Sequence, residues 1–396
     1  MTVAAMTRTK LKDVCDRITV GHVGPMAEKY TEKGVPFLRS QNITPFSLQL
    51  DDIKYVPPEF HKQLKKCALR PGDVAVVRTG YPGTACVIPE SLPEANCADL
   101  VVITPSKSLN PYYLAAIFNS AWGKSSVAGN LVGVAQQHFN VGAAREMEIR
   151  LPSKMMQDRI AGVLSAYGDL IENNQRRIRI LEEMARSLYR EWFVHFRFPG
   201  HDKVKMVSSP LGPIPQGWEV KTVEEVVKRI PVGKKYDQKT VSPTGTVPVL
   251  DQGKSGIIGY HDDEPGVEAS ETAPVVVFAN HTCYQSLTHF PFSTIQNVLP
   301  FVPSPSIPRN IYWLHWATNG LVVFNDYKGH WPEFAAKTLV IPPADVCAVF
   351  GDFATPLARQ TLKLERAIEN LRRTRDLLLP RLLAGQIDVK LMESVA

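Results

Sequence analysis

Two stretches of the chain place apolar residues at alternating steps of three and four, the spacing of a helical seam. In 154–197 the seam runs Ile160, Val163, Tyr167, Ile171, Asn174, Ile178, Leu181, Ala185, Leu188 and Trp192. In 344–384 it runs Phe350, Phe353, Leu357, Thr361, Leu364, Ile368, Leu371, Arg375, Leu378 and Leu382. The two seams pair position by position at a constant offset of 190, without a gap. A helix of about 40 residues rises roughly 60 Å, too long to pack inside one small domain. Such helices must bridge something, and two matched seams are expected to pair with each other. Pro356 has no counterpart in the first seam and predicts a kink or restart there.

Elsewhere the pattern is shorter. Apolar runs at 35–38, 73–77 and 100–103 read as buried strands, with turns at Pro71-Gly72-Asp73 and Gly80-Tyr81-Pro82-Gly83. Asn110-Pro111 opens a helix. Runs at 247–250, 275–278 and 295–302 repeat the strand signal, and Pro199-Gly200 ends the first long helix. The expected organisation is a mixed domain at 1–150, a long helix at 151–198 and a Pro/Gly/Ser linker at 199–218. A second mixed domain follows at 219–340, then a second long helix and tail at 341–396. This is an α+β chain with pseudo-two-fold character.

The globular parts are also written twice. Val14, Arg17, Ile18, Val20 and Gly21 recur as Val226, Arg229, Ile230, Val232 and Gly233, an offset of 212 that persists at Pro36 and Pro248. It fades after residue 42, where the copies diverge. A duplicated molecule suits a target with two separated halves.

Hydrophobic residues make up 44% of the 396, enough for a core in each half. No uncharged apolar run is long enough for a membrane span, and the N-terminus lacks a secretory signal, so a cytoplasmic location is expected. The six cysteines are scattered, which argues against a disulfide framework or a structural metal. The net charge of +6 divides as +4 for 1–150, +3 for 151–205, −2 for 206–340 and +1 for 341–396. A mild basic balance is compatible with nucleic acid without proving it. Two apparent motifs fail on inspection. Gln252-Gly253-Lys254-Ser255 is similar to a phosphate loop, but Pro248 stands where its first glycine must be. Asn110-Pro111-Tyr112-Tyr113 is similar to an amino-methyltransferase motif, but it lacks the second proline, and a helix start explains it better. His281, Cys283 and His289 lack the spacing of a metal site.

Three further segments carry a resemblance. LEEMARSLYREWFVHFRF (181–198), GPIPQGWEVKTVEEV (212–226) and LRRTRDLLLPRLLAGQID (371–388) resemble conserved regions of the DNA-specificity subunits of type I restriction-modification systems, in the same domain–helix–domain–helix order. The resemblance implies a non-catalytic, cofactor-free subunit whose two target-recognition domains each read half of a split duplex DNA site. The two long helices would lie antiparallel, set the spacing and bind two methyltransferase subunits, with restriction/motor subunits joining. Inserting whole heptads within 160–180 is then expected to change the tolerated gap between half-sites and leave the half-sites themselves unchanged. Altered base recognition would refute the ruler. Two other readings remain open: a specificity module of a related modification system outside type I, and a coiled-coil scaffold with no DNA role.

The candidate DNA contacts follow from side-chain chemistry. Arg39, Gln41 and Asn42 follow a strand and suit bidentate base contacts, and Gln252 and Lys254 stand at the equivalent point of the second domain. Arg78, Thr79 and Tyr81 form a loop like the family's, with Asn280 and His281 opposite. Gln136, Gln137 and His138 pair with Lys328 and His330. Lys234, Lys235 and His22, at the domain entries, suit phosphates. Arg176, Arg177, Arg179 and Arg372, Arg373, Arg375 form matching basic clusters on the helices. Tyr189, Trp192, Phe193 and Phe196, with Leu378 and Leu382, are candidates for partner docking or for packing between the helices.

Overall fold

The structure, a computed structural model, describes residues 6–131, 138–253, 256–326 and 328–387. The chain divides into two units, the first made of 1–175 with 366–396 and the second of 176–365.

In the first unit a four-stranded antiparallel sheet has the order Cys15–Val20, Leu100–Pro105, Val74–Val77, Ala85–Val87. Its central strands are apolar on both faces. Val74, Val76, Val101 and Ile103 pack with the helix Pro111–Asn119 on one side, while Ala75, Val77, Leu100 and Val102 fill a separate cluster on the other. That two-sided burial is why the runs read as continuous rather than alternating. Val35–Leu38 heads a smaller sheet, antiparallel to Lys54–Val56 and parallel to Asn96–Cys97. Thr7–Lys10 pairs antiparallel with Glu148–Leu151.

The second unit repeats this plan. Its main sheet runs Val227–Arg229, Val298–Pro303, Val275–Ala279, Gln285–Thr288, the same order strand for strand. Val247–Leu250 again pairs antiparallel with one strand, Ile257–His261, and parallel with another, Ser293–Ile295. Glu219–Thr222 with Thr338–Ile341 replaces the terminal pair of the first unit. The helix start at Asn110 is an N-cap whose Oδ1 accepts from Tyr112 N at 2.9 Å, and Asn310 caps its counterpart in the same way through Tyr312 N.

The repeat residues hold equivalent posts with different neighbours. Arg17 Nη2 donates to the buried Asp73 at 2.6 Å, whereas the Arg229 guanidinium lies 5.1 Å above the Trp331 ring. A Cβ on Gly21 would sit 2.9 Å from the Cys97 carbonyl oxygen, while Gly233 is needed for its φ of 61°.

The long helices are Lys154–Tyr189, 36 residues continued by a π-helical turn at Arg190–Val194, and Ala344–Leu383, 40 residues. In the first unit Ile160 and Leu164 share a core with Leu379 and Leu382. In the second, Trp192 and Phe193 share one with Cys347, Phe350 and Ala354. Each unit therefore joins the start of one helix to the end of the other, the pairing an antiparallel arrangement requires. The seam is buried or half-buried at every position but Phe353, which is 54% exposed.

Three expectations are corrected. The second helix passes Pro356 unbroken, because Pro356 and Asp352, whose carbonyl loses its donor, both face solvent and water can satisfy the freed oxygen. The run at 295–302 is two strands, divided where Asn297 takes a φ of 66°. Within 199–218, Met206–Ser209 and Gly212–Pro215 form a hairpin, and Ile214 and Trp218 are buried in the second core, so the segment is not a plain linker.

Candidate nucleic-acid interface

In the first unit three segments singled out in the sequence converge where strands end. The corner between Asn96–Cys97 and Leu100–Pro105 is Asp99, in the left-handed region at φ 54°. Its Oδ1 accepts from Arg78 Nη1 at 3.1 Å and its Oδ2 from Thr79 Oγ1. Its carbonyl accepts from Ser40 Oγ at 3.5 Å, and its N–H donates to the His22 carbonyl at 3.2 Å. Arg78 Nε donates to the Phe139 carbonyl at 3.1 Å, and Phe139 N returns a bond to the Arg78 carbonyl. The loops at 39–42, 78–83 and 138–140 are thereby drawn together.

The second unit builds the same corner from other side chains. Asn297 replaces Asp99, and its carbonyl accepts from Asn280 N at 2.9 Å. The Asn280 carbonyl accepts from His330 N at 2.9 Å, as that of Arg78 does from Phe139, and its Oδ1 accepts from Trp331 N at 2.7 Å. Gln252 Oε1 accepts from His281 N at 2.9 Å, and Thr282 Oγ1 donates to the Gln252 carbonyl. The loops at 251–253, 280–282 and 328–331 therefore meet as their counterparts do.

Several donors proposed for DNA are held by carboxylates. Arg39 Nη2 and Gln41 Nε2 each lie 2.9 Å from Asp52 Oδ2, and Lys54 Nζ lies 3.0 Å from the other oxygen. Hydrogen bonds from Lys54 and Arg39 pull the Asp52 carboxyl down to about 2. Lys234 Nζ and the Tyr236 hydroxyl both donate to Asp263, which lowers the Asp263 carboxyl and raises the Lys234 ammonium. Lys235 and Lys328 are exposed, and Tyr81 is 84% exposed. His138 is half-buried beside Phe139. Gln136, Gln137 and Lys254 lie outside the described residues.

Some candidates are internal. Asn42 is buried, with Oδ1 accepting from Arg39 N and Nδ2 donating to the Gln49 carbonyl, so its amide shapes the loop and is not offered to a base. His330 is fully buried, its Nε2 3.0 Å from the Asp326 carbonyl. Arg375 is buried, with its guanidinium 4.5 Å above the Phe46 ring, and leaves Arg372 and Arg373 as the exposed pair of that cluster. Trp192 and Phe193 lie in the second core. Tyr189 packs on Phe193 and Phe350, Phe196 on Trp218, and Leu382 with the partly buried Leu378 in the first core. Trp192, Phe193 and Leu382 are thus buried in packing, whereas Tyr189, Phe196 and Leu378 keep part of their surface exposed. Sequence reading missed Asp52, Lys54, Asp99 and Asn297. Asp99 and Asn297 each precede a buried strand, where Asp or Asn marks a left-handed turn.

This geometry defines a protein of two units, each offering a cluster of polar loops at the ends of its strands. Residues 6–183 match the family model described as the type I restriction modification DNA specificity domain. The chain is 26% identical over 268 residues to the type I restriction enzyme MjaIX specificity subunit of Methanocaldococcus jannaschii, covering 62% of this chain and 62% of that one. It is 27% identical over 150 residues to the Escherichia coli EcoR124I/EcoR124II specificity subunit, covering 36% and 34%. The match thus spans less than two thirds of the length of these relatives. The fold is that of the crystal structure of a type I restriction-modification S subunit from M. genitalium, at a TM-score of 0.56 and 14% identity over 96% of this chain and 97% of that one. The similarity to the type I DNA specificity domain thus lies in residues 6–183, a little under half of the chain. Among the described residues no helix is long and apolar enough to cross a membrane.

Proposed function

We propose that the chain reads a two-part duplex DNA site, one part per unit, and leaves methylation and cleavage to partner subunits. One observation carries the reading. The same corner of the same fold occurs twice with different side chains, Arg78 with Asp99 in one unit and Asn280 with Asn297 in the other. A conserved frame with divergent polar tips is what two unlike half-sites require. Arg39, Gln41, Thr79 and Tyr81 in the first unit, and Gln252, His281 and Lys328 in the second, are the proposed base-facing groups. Lys54, Lys234 and Lys235 are the proposed phosphate contacts.

Its relatives are named as specificity subunits of restriction enzymes, which supports assembly with two methyltransferase subunits and, for cleavage, restriction subunits. With Trp192 and Phe193 enclosed, docking falls to exposed apolar positions on the helices: Ile180, Met184 and Phe353 in the second unit, Leu170 and Leu377 in the first.

Mobility-shift titration of the chain with its methyltransferase partner tests the reading. Affinity for duplex DNA is expected to fall linearly on a log–log plot against salt, with a slope of about −0.9 per phosphate contact. Salt-independent binding, no binding at low salt, or robust methylation or cleavage by the isolated chain would overturn it.

A further inference from the structure

We propose that Asp99 sets the bases read by the first unit, by positioning Arg78 and Thr79, and that Asn297 holds the same post in the second. This rests on the DNA-reading function proposed above.

The backbone makes the first argument. Both residues adopt left-handed φ angles, 54° and 66°, at the same corner of the duplicated fold. That conformation is unfavourable for a residue with a Cβ, least so for Asp and Asn, and glycine would be the relaxed choice. Glycine stands at neither corner. A side chain kept in a strained place in both halves has work to do there.

The contacts say what that work is. Asp99 takes Arg78 with one oxygen and Thr79 with the other, and its main chain touches Ser40 and His22. The Arg78 side chain is only 11% exposed, so it is held inward as a strut, with Gly80 and the outlying Tyr81 following it. Removing the carboxylate leaves the guanidinium held by the Phe139 carbonyl through Nε, unties its outer nitrogen and lets the 78–83 loop relax. In the second unit the neutral Asn297 holds the corner. Asn280 stands where Arg78 does, and it is tied to Asn297 through the backbone alone. Charged in one unit and neutral in the other, this position is where otherwise equivalent frames become unlike readers.

The full chain, assembled with its methyltransferase partner, would be offered a library of duplexes randomised at both half-sites, and methylated molecules sequenced. Asp99→Asn keeps the shape and the left-handed tolerance, being the residue found at 297. Asp99→Gly keeps the backbone and removes the side chain. Both are expected to stay folded, Asp99→Asn melting closer to wild type than Asp99→Gly, and to lose about tenfold of base discrimination in one half-site only. Asn297→Asp should alter the other half alone. The salt slope should steepen by about 0.9 in Asp99→Gly, as Arg78 without its carboxylate meets a phosphate, a change that a merely structural residue would not produce. Unchanged preference in both halves, equal loss in both, or unfolding of both Asp99 variants would overturn the proposal. A wild-type complex without any site preference would instead overturn the DNA reading beneath it.

Discussion

Phe193→Ala is expected to destabilise the second unit by about 3–5 kcal/mol, the usual cost of emptying a large aromatic site in a core. Phe193 is 5% exposed, and its ring meets Phe350 edge-on at 5.0 Å, Tyr189 at 5.3 Å, Trp218 at 5.9 Å and Trp313 at 6.4 Å. The cavity would open among groups held by both long helices and the globular part, so no single element can shift to fill it. Trp192, Trp218, Trp313, Trp316 and Trp331 all belong to this unit, with Trp122 alone in the other, so tryptophan fluorescence follows its unfolding. The urea midpoint should fall by roughly 2 M at an ordinary slope. An unchanged midpoint with lost methyltransferase binding would restore the partner-docking role that the sequence suggested for this residue.

Asp73→Ala should cost the first unit about 3 kcal/mol, the low end for stranding one member of a buried ion pair, because the Arg17 side chain keeps 29% of its exposure. Asp73 is 2% exposed and accepts from Arg17, from Arg70 N at 2.9 Å and from Thr104 Oγ1. Its loss leaves three donors short at once, including a guanidinium that reaches from the outer strand Cys15–Val20 past Thr104 of its neighbour. Hydrogen exchange at the amides of Val74–Val77 should accelerate by about a hundredfold, as 1.4 kcal/mol corresponds to a factor of ten in an opening equilibrium. The second unit offers a comparison. Pro274 precedes its equivalent strand and Arg229 rests on Trp331 instead, so Arg229→Met should be far milder than Arg17→Met. Equal losses would show that the carboxylate adds little.

The repeat made most of this architecture legible. Seam positions such as Ile160 and Leu364 announce themselves by period, and the strands at 35–38, 74–77 and 100–105 by two-sided burial. The site was legible only by segment. The loops named from the sequence are the ones that meet, yet their side chains answer to partners that spacing does not reveal. Asp52 lies thirteen positions from Arg39, and Asp99 twenty-one from Arg78. Nothing local says that the Asn42 amide will be consumed within its own loop, or that His330 will be buried. The aromatic run at 189–198 showed a large apolar load but not which surface would cover it. Pro356 was misread because helix rules assume a carbonyl cut off from water, and this one faces it.

The first core draws on two segments that flank the second unit in the chain. Leu379 and Leu382 close a cluster begun by Leu11 and Val14, so this unit is interrupted in sequence while the second is continuous. On the ribosome the earlier-made unit is therefore the later to be finished. After residue 175 emerges, about 190 more must be added before its closing segment appears, roughly 10–40 s at ordinary rates of synthesis. Throughout that interval Ile160 and Leu164 lack their mates and stand open to chaperones or to misassociation. A stop codon near residue 366 would thus injure the amino-terminal unit and spare the one encoded beside it.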